Sequence, residues 1–165
     1  MTNIRPLEQK DIEKCLEIYN YYIENTTITF EETPLTLSDF SERINGITKR
    51  YPFLVAEEGG TVVGYAYFDI FNSRSAYRHT ADLSVYLDNA CLSKGIGSIL
   101  YNELEKLAPK YEINNVISII TAENKKSVVF HEKNGFSFKG KLDNVGIKFE
   151  RQLSVFFYQK TLCNL

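Results

Sequence analysis

The chain of 165 residues has the length expected of one folded domain, residues 1–165, and its 44% hydrophobic and 24% charged content excludes a disordered chain. Nineteen Lys and Arg stand against 21 Asp and Glu, a formal charge of -2, which leaves no basic field to hold a nucleic acid backbone or an anionic membrane. The three cysteines, Cys15, Cys91 and Cys163, lack the paired spacing of a zinc site or disulfide framework, so no metal is expected and a reducing cytoplasm is the expected setting.

A short extended start ends at Pro6 and lacks the apolar run of a targeting segment. Ile12, Cys15, Leu16, Tyr19 and Ile23 then recur at helical spacing, with Asp11 placed to cap that helix. The polar stretch 25–34 breaks the pattern before a second helix beginning near Ser38. Runs 52–57 and 62–69 are rich in strand formers, and Gly59-Gly60 between them predicts a hairpin. Even the longest mainly apolar run, 62–68, is too short to cross a bilayer. A loop through Arg74 and Tyr77 leads to a strand over 79–87, where Ala81, Leu83, Val85 and Leu87 alternate with Asp82, Ser84 and Tyr86. Asp82 is therefore expected to face away from the apolar row. Gly95-Ile96-Gly97 opens a helix with the apolar face Ile96, Ile99, Leu100, Leu104 and Leu107, ending at Pro109. A buried strand over 116–121, a helix over 124–134 stopped by Gly135, and strands over 136–142 and 149–160 complete the chain.

A glycine pair between strand and helix directs backbone N–H groups and the positive helix end at one place, which suits a phosphate or pyrophosphate. The dinucleotide fingerprint fails, because Leu100 stands where a third small residue is needed, and the Gly-Lys-Ser/Thr of a P-loop is absent.

Tyr86-Leu87, then Gly95-Ile96-Gly97-Ser98, Ala122-Glu123-Asn124 with Ser127, and His131-Glu132-Lys133-Asn134-Gly135-Phe136 together resemble the GNAT superfamily of acyl-CoA-dependent N-acetyltransferases. Thr29-Phe30, Tyr77-Arg78-His79-Thr80, Ser84-Val85-Tyr86 and Val145-Gly146-Ile147-Lys148-Phe149 are similar to its phosphinothricin and methionine sulfoximine acetyltransferase branch. The resemblance implies an α+β GNAT fold, a mixed, splayed sheet with helices on both faces. It implies direct transfer of an acetyl group from acetyl-CoA to the α-amine of a small amino-acid analogue in a ternary complex, and a homodimer.

By the same resemblance, Val85 and Leu87 would pair with the pantetheine arm, Gly95, Ile96, Gly97 and Ser98, with Lys94, would hold the pyrophosphate, and Asn124 and Ser127 would contact the cofactor. Leu92 replaces the Arg or Gln of most members, leaving that loop's backbone to do the holding. Asp82 and His131 fall at the places of the proton-transfer groups. Asp82 is one methylene shorter than the usual Glu and is expected to act through water or to orient the substrate ammonium. Asn124, Ser127 and His131 share one helix face, and an unperturbed imidazole pKa of about 6.5 suits proton exchange near neutrality. Phe30, Arg74, Tyr77 and Lys148 would form the acceptor pocket, Arg offering a fork-shaped cation to a carboxylate or phosphinate.

Each of these residues also has a plain structural reading: a hydrogen-bonded strand acid, a packed helical His, solvated cations. Two other functions stay open, acetylation of a protein N-terminus or another amine, and a non-catalytic acyl-CoA-binding module. A thioester route through Cys91 lacks a neighbouring histidine in sequence to activate the thiol.

Overall fold

The computed structural model describes residues 2–92 and 94–162, so Cys163 lies outside the described residues. It contains seven strands in one sheet: β1 (Asn3–Pro6), β2 (Phe53–Glu58), β3 (Thr61–Ile70), β4 (Thr80–Leu87), β5 (Asn115–Thr121), β6 (Ser137–Lys148) and β7 (Arg151–Thr161). The helices are α1 (Ile12–Asn25), α2 (Leu37–Thr48), α3 (Ile96–Leu107) and α4 (Lys125–Lys133). Strand order is β1-β2-β3-β4-β5-β7-β6, with every pair antiparallel except β4 and β5. The parallel pair follows from the α3 crossover, since parallel neighbours cannot be joined by a tight turn.

Side-chain alternation on β3 and β4 assigns the two faces of the sheet. Tyr65, Tyr67 and Tyr86 project toward α1 and α2, with Tyr19 and Tyr86 rings 5.0 Å apart and Phe53 and Tyr67 rings 4.9 Å apart. Ala66, Phe68, Ala81 and Leu83 are buried on the other face, where α3 packs Ile96, Leu100, Tyr101 and Leu104. The expected mixed sheet with helices on both faces is present. Asp82 lies, as its alternation predicts, opposite the apolar row.

Several local expectations need correction. Asp11 does not cap α1: its carboxylate takes two hydrogen bonds from Arg5 at 2.6 and 2.9 Å and one from the Glu8 amide, closing a 3-10 turn that precedes the helix. The second helix begins at Leu37, within one residue of its expected start, and Thr36 accepts the Asp39 amide at 3.2 Å to supply the cap. The last hairpin is tighter than its sequence suggests. β6 runs on to Lys148, and Phe149 and Glu150 turn the chain with φ of 52° and 59°. Neither residue type signals a turn that needs positive φ, whereas Gly59 and Gly60, at 57° and 83°, do. No helix among the described residues is long and apolar enough to cross a membrane.

Candidate active site

β4 and β5 are paired only from Thr80 to Asp82 and from Asn115 to Ile117. Beyond that point they diverge and open a cleft of about 920 Å³. Asp82 to Leu87 form one wall and Ser118 to Thr121 the other, with the start of α3 and one face of α4 at its end and Phe30 at its side. Strand edges that part in this way leave backbone amides and carbonyls for an extended polar ligand.

Backbone makes the α3 end of the cleft. Gly95 sits before α3 with φ of 78°, and no side chain caps the helix, so the first-turn amides point outward unclaimed by a cap. At Gly97 a Cβ would lie 3.3 Å from the Phe130 ring and 3.7 Å from Leu87, so glycine lets α3 approach α4 and β4 closely. Asn134 Nδ2 donates to Ser98 Oγ at 3.1 Å, tying the end of α4 to the start of α3. Asn124 Oδ1 accepts the Ser127 amide at 3.1 Å and caps α4. The Leu87 carbonyl accepts the Tyr22 hydroxyl at 2.6 Å, while Val85 and Leu87 both remain on the cleft wall. The Ile96 side chain is buried in the core, which leaves only its amide for binding. Lys94 is exposed, its ammonium 4.0 Å from Cys91 Sγ, and neither residue lines the cleft.

Buried titratable side chains make the other part. Asp82 Oδ1 is buried with no hydrogen-bond partner, and the carboxyl is pushed up to about 7, first by burial and then by the charge of Asp69 across the ladder. Such a group both holds and releases a proton at neutrality. His131 also lines the cleft, but the ordinary imidazole value expected from sequence is not the value in the fold. Burial among Phe130, Phe136 and Tyr158 pushes it down to about 4. Nδ1 donates to the Ser127 carbonyl at 2.7 Å, because that oxygen can only accept, so the neutral ring carries a bare, buried Nε2.

Among the expected acceptor residues, Phe30 lines the cleft. Its ring packs on Gly146, where a Cβ would lie 2.3 Å away. Lys148 is 1% exposed and donates to the Thr29 carbonyl at 2.8 Å, so it props the loop from beneath and burial lowers its pKa. Arg74 and Tyr77 are exposed on the loop before β4, Tyr77 against Phe71, and neither is part of the cleft wall. Sequence reading missed Asp69, which hairpin register sets directly across from Asp82, and Ser118, whose buried hydroxyl has no partner. It also missed Lys125 and Lys126, which line the cleft at the first turn of α4. Two cations there oppose the helix dipole.

A family model described as an acetyltransferase (GNAT) domain matches residues 4–154. The chain is 32% identical to the L-methionine sulfoximine/L-methionine sulfone acetyltransferase of Pseudomonas paraeruginosa, over 97% of this chain and 94% of that protein. The crystal structure of a GNAT superfamily phosphinothricin acetyltransferase from Sinorhizobium meliloti, in complex with AcCoA, superposes with a TM-score of 0.93 at 33% identity, covering 97% of this chain and 88% of that one. A ribosomal-protein-alanine N-acetyltransferase from Brucella melitensis superposes with a TM-score of 0.94 at 36% identity, covering 96% and 99%.

Proposed function

This chain belongs to the GNAT acetyltransferase family, and from that premise we propose that it acetylates the α-amine of a small amino-acid analogue of the phosphinothricin, methionine sulfoximine or methionine sulfone type, with acetyl-CoA as donor. The observation that carries this reading is a single cleft with an uncapped helix N-terminus at one end and a proton-accepting carboxyl on its wall.

The residues present fit acetyl-CoA. The amides of Gly95, Ile96, Gly97 and Ser98 suit a pyrophosphate, and the parted edge at Val85 and Leu87 suits an amide-bearing arm. When bound, acetyl-CoA would supply the activated acetyl thioester. Asp82 takes the proton from the substrate ammonium and leaves a nucleophilic amine, with water spanning the reach its short side chain lacks. His131 serves as a neutral imidazole held by the Ser127 carbonyl, and its Nε2 would accept a hydrogen bond from the second amine proton, which would pass to the sulfur as the C–S bond breaks. With donor and acceptor held together, transfer is direct and Cys91, outside the cleft wall, forms no thioester. The whole chain acts as one such domain, in the cytoplasm and as a homodimer. The exposed apolar side chains of β6, Leu142, Val145 and Ile147, support a subunit contact.

Likeness to the Brucella melitensis protein favours a second reading, a protein N-terminal amine as acceptor. Acetyl-CoA-dependent thiol release, measured with the amino-acid analogues, ordinary amino acids and an N-terminal alanyl peptide, separates the two. The proposal expects release with the analogues at least about tenfold above the peptide, a preference of about 1.4 kcal/mol. Release with the peptide alone overturns it.

A further inference from the structure

Asp82 has a carboxylate neighbour. In the β3–β4 ladder Asp69 stands directly across from it, between the pairs Phe68–Leu83 and Ile70–Ala81. Residues directly opposed on antiparallel strands share a face, with Cβ atoms about 4.5–5.5 Å apart. Both carboxyls therefore lie on the α1–α2 side of the sheet. Their surroundings differ. Asp82 lines the reaction cleft and keeps Oδ1 buried without a partner. Asp69 is half-buried, accepts its neighbour Ile70's amide at 2.7 Å, and lines a separate groove of about 440 Å³ with Asp39, Glu42 and Arg43 of α2. The pair thus lies between the cleft and the α2 groove.

We propose that Asp69 is a positioning residue for the base: its charge keeps Asp82 ready to bind a proton, and its carboxylate carries that proton on to the α2 groove. The inference rests on Asp82 being the base. An N–H bond of the substrate ammonium breaks, its electron pair stays on nitrogen, and the proton reaches Asp82 Oδ1. From there it passes to the Asp69 carboxylate and then to water in the groove, which restores the Asp82 carboxylate for the next turnover. A negative charge at Asp69, directly across the ladder, disfavours a second charge at Asp82.

The other groups around the pair do not remove this coupling. Tyr67, Tyr86 and Tyr19, from β3, β4 and α1, are phenols whose pKa burial raises, and so are neutral. On α2, Arg43 is held by Glu31 at 2.6 and 3.0 Å, while Asp39 and Glu42 add negative charge at the groove. β5 offers the uncharged Ile117 opposite Asp82. From α4, His131, Lys125, Lys126 and Lys133 line the cleft, and none is a salt-bridge partner of either acid among the described residues.

The test reads Asp82 itself, by carbon NMR of side-chain carboxyls in 13C-aspartate-labelled protein, taking as Asp82 the resonance lost in Asp82→Asn. In the native protein its midpoint is expected at about 7. In Asp69→Asn and Asp69→Ser it is expected to fall by about one pH unit or more, and in Asp69→Glu to stay high. The acidic limb of kcat should move down with it. An unmoved midpoint in either neutral variant, shown folded by circular dichroism, overturns the role of Asp69 and leaves Asp82 as base. Full turnover in Asp82→Asn overturns the base reading and the Asp69 proposal together.

Discussion

The two halves of the cleft are built by opposite means. At the α3 end the groups proposed to hold the donor are backbone amides, exposed by a glycine at φ of 78° and by a second glycine that lets neighbouring side chains close in. At the β4 end the proposed proton-transfer groups are Asp82 and His131, whose burial displaces them in opposite senses, the acid up to about 7 and the imidazole down to about 4. Amide geometry at the first end is set by local conformation, while the protonation of the acid and the imidazole is set by what the fold packs around each side chain. A backbone amide has no protonation state for burial to alter.

The strongest way to break that contrast is Asp82→Asn, which should lower kcat by about a hundredfold or more while leaving acetyl-CoA affinity in place. A fall in acetyl-CoA binding of similar size, measured by calorimetry, would merge the two halves. The same variant has a thermodynamic signature. A carboxyl raised from 3.8 to about 7 in the fold contributes stability at low pH and loses it as pH rises through 7. Replacing it should therefore raise the melting temperature by about 2–6 °C at pH 8 and by little at pH 5.

Gly97→Val sharpens the comparison from the other side. Its side chain must displace the Phe130 ring, so acetyl-CoA should bind about tenfold more weakly with kcat at saturation nearly unchanged. A kcat loss as large as that of Asp82→Asn would show the cradle to be part of the chemistry. His131→Gln gives the smallest effect, a drop of roughly fivefold, the size of one hydrogen bond. Because burial holds His131 neutral from about pH 5 upward, the shape of the pH–rate profile above that point should not change. Disappearance of a limb near the ordinary imidazole pKa of about 6.5 would mean that the ring does ionise during turnover.

Legibility in the sequence divides along the same line. Gly95 and Gly97, the alternation that turns Asp82 off the apolar row, and the Asn124–Ser127–His131 face are periodic or conformational signals, and each appears where its pattern places it. The acceptor side was less readable. Phe30 reaches the cleft, but Lys148 spends its ammonium on the Thr29 carbonyl, and Arg74 and Tyr77 stay on an exposed loop. A cation in a motif does not declare whether it faces a ligand or a carbonyl, because that depends on segments distant in the chain.

By itself the sequence determined the alternation of strands and helices, the glycine-opened third helix and the residue types able to bind a phosphate-bearing donor and accept a proton. These follow from interactions within a few residues, which periodicity and φ requirements encode directly. Tertiary structure decided where β4 and β5 part, that Asp69 faces Asp82, and that His131 is neutral. Those properties arise from strand register and from desolvation by residues far along the chain, and a local pattern carries neither.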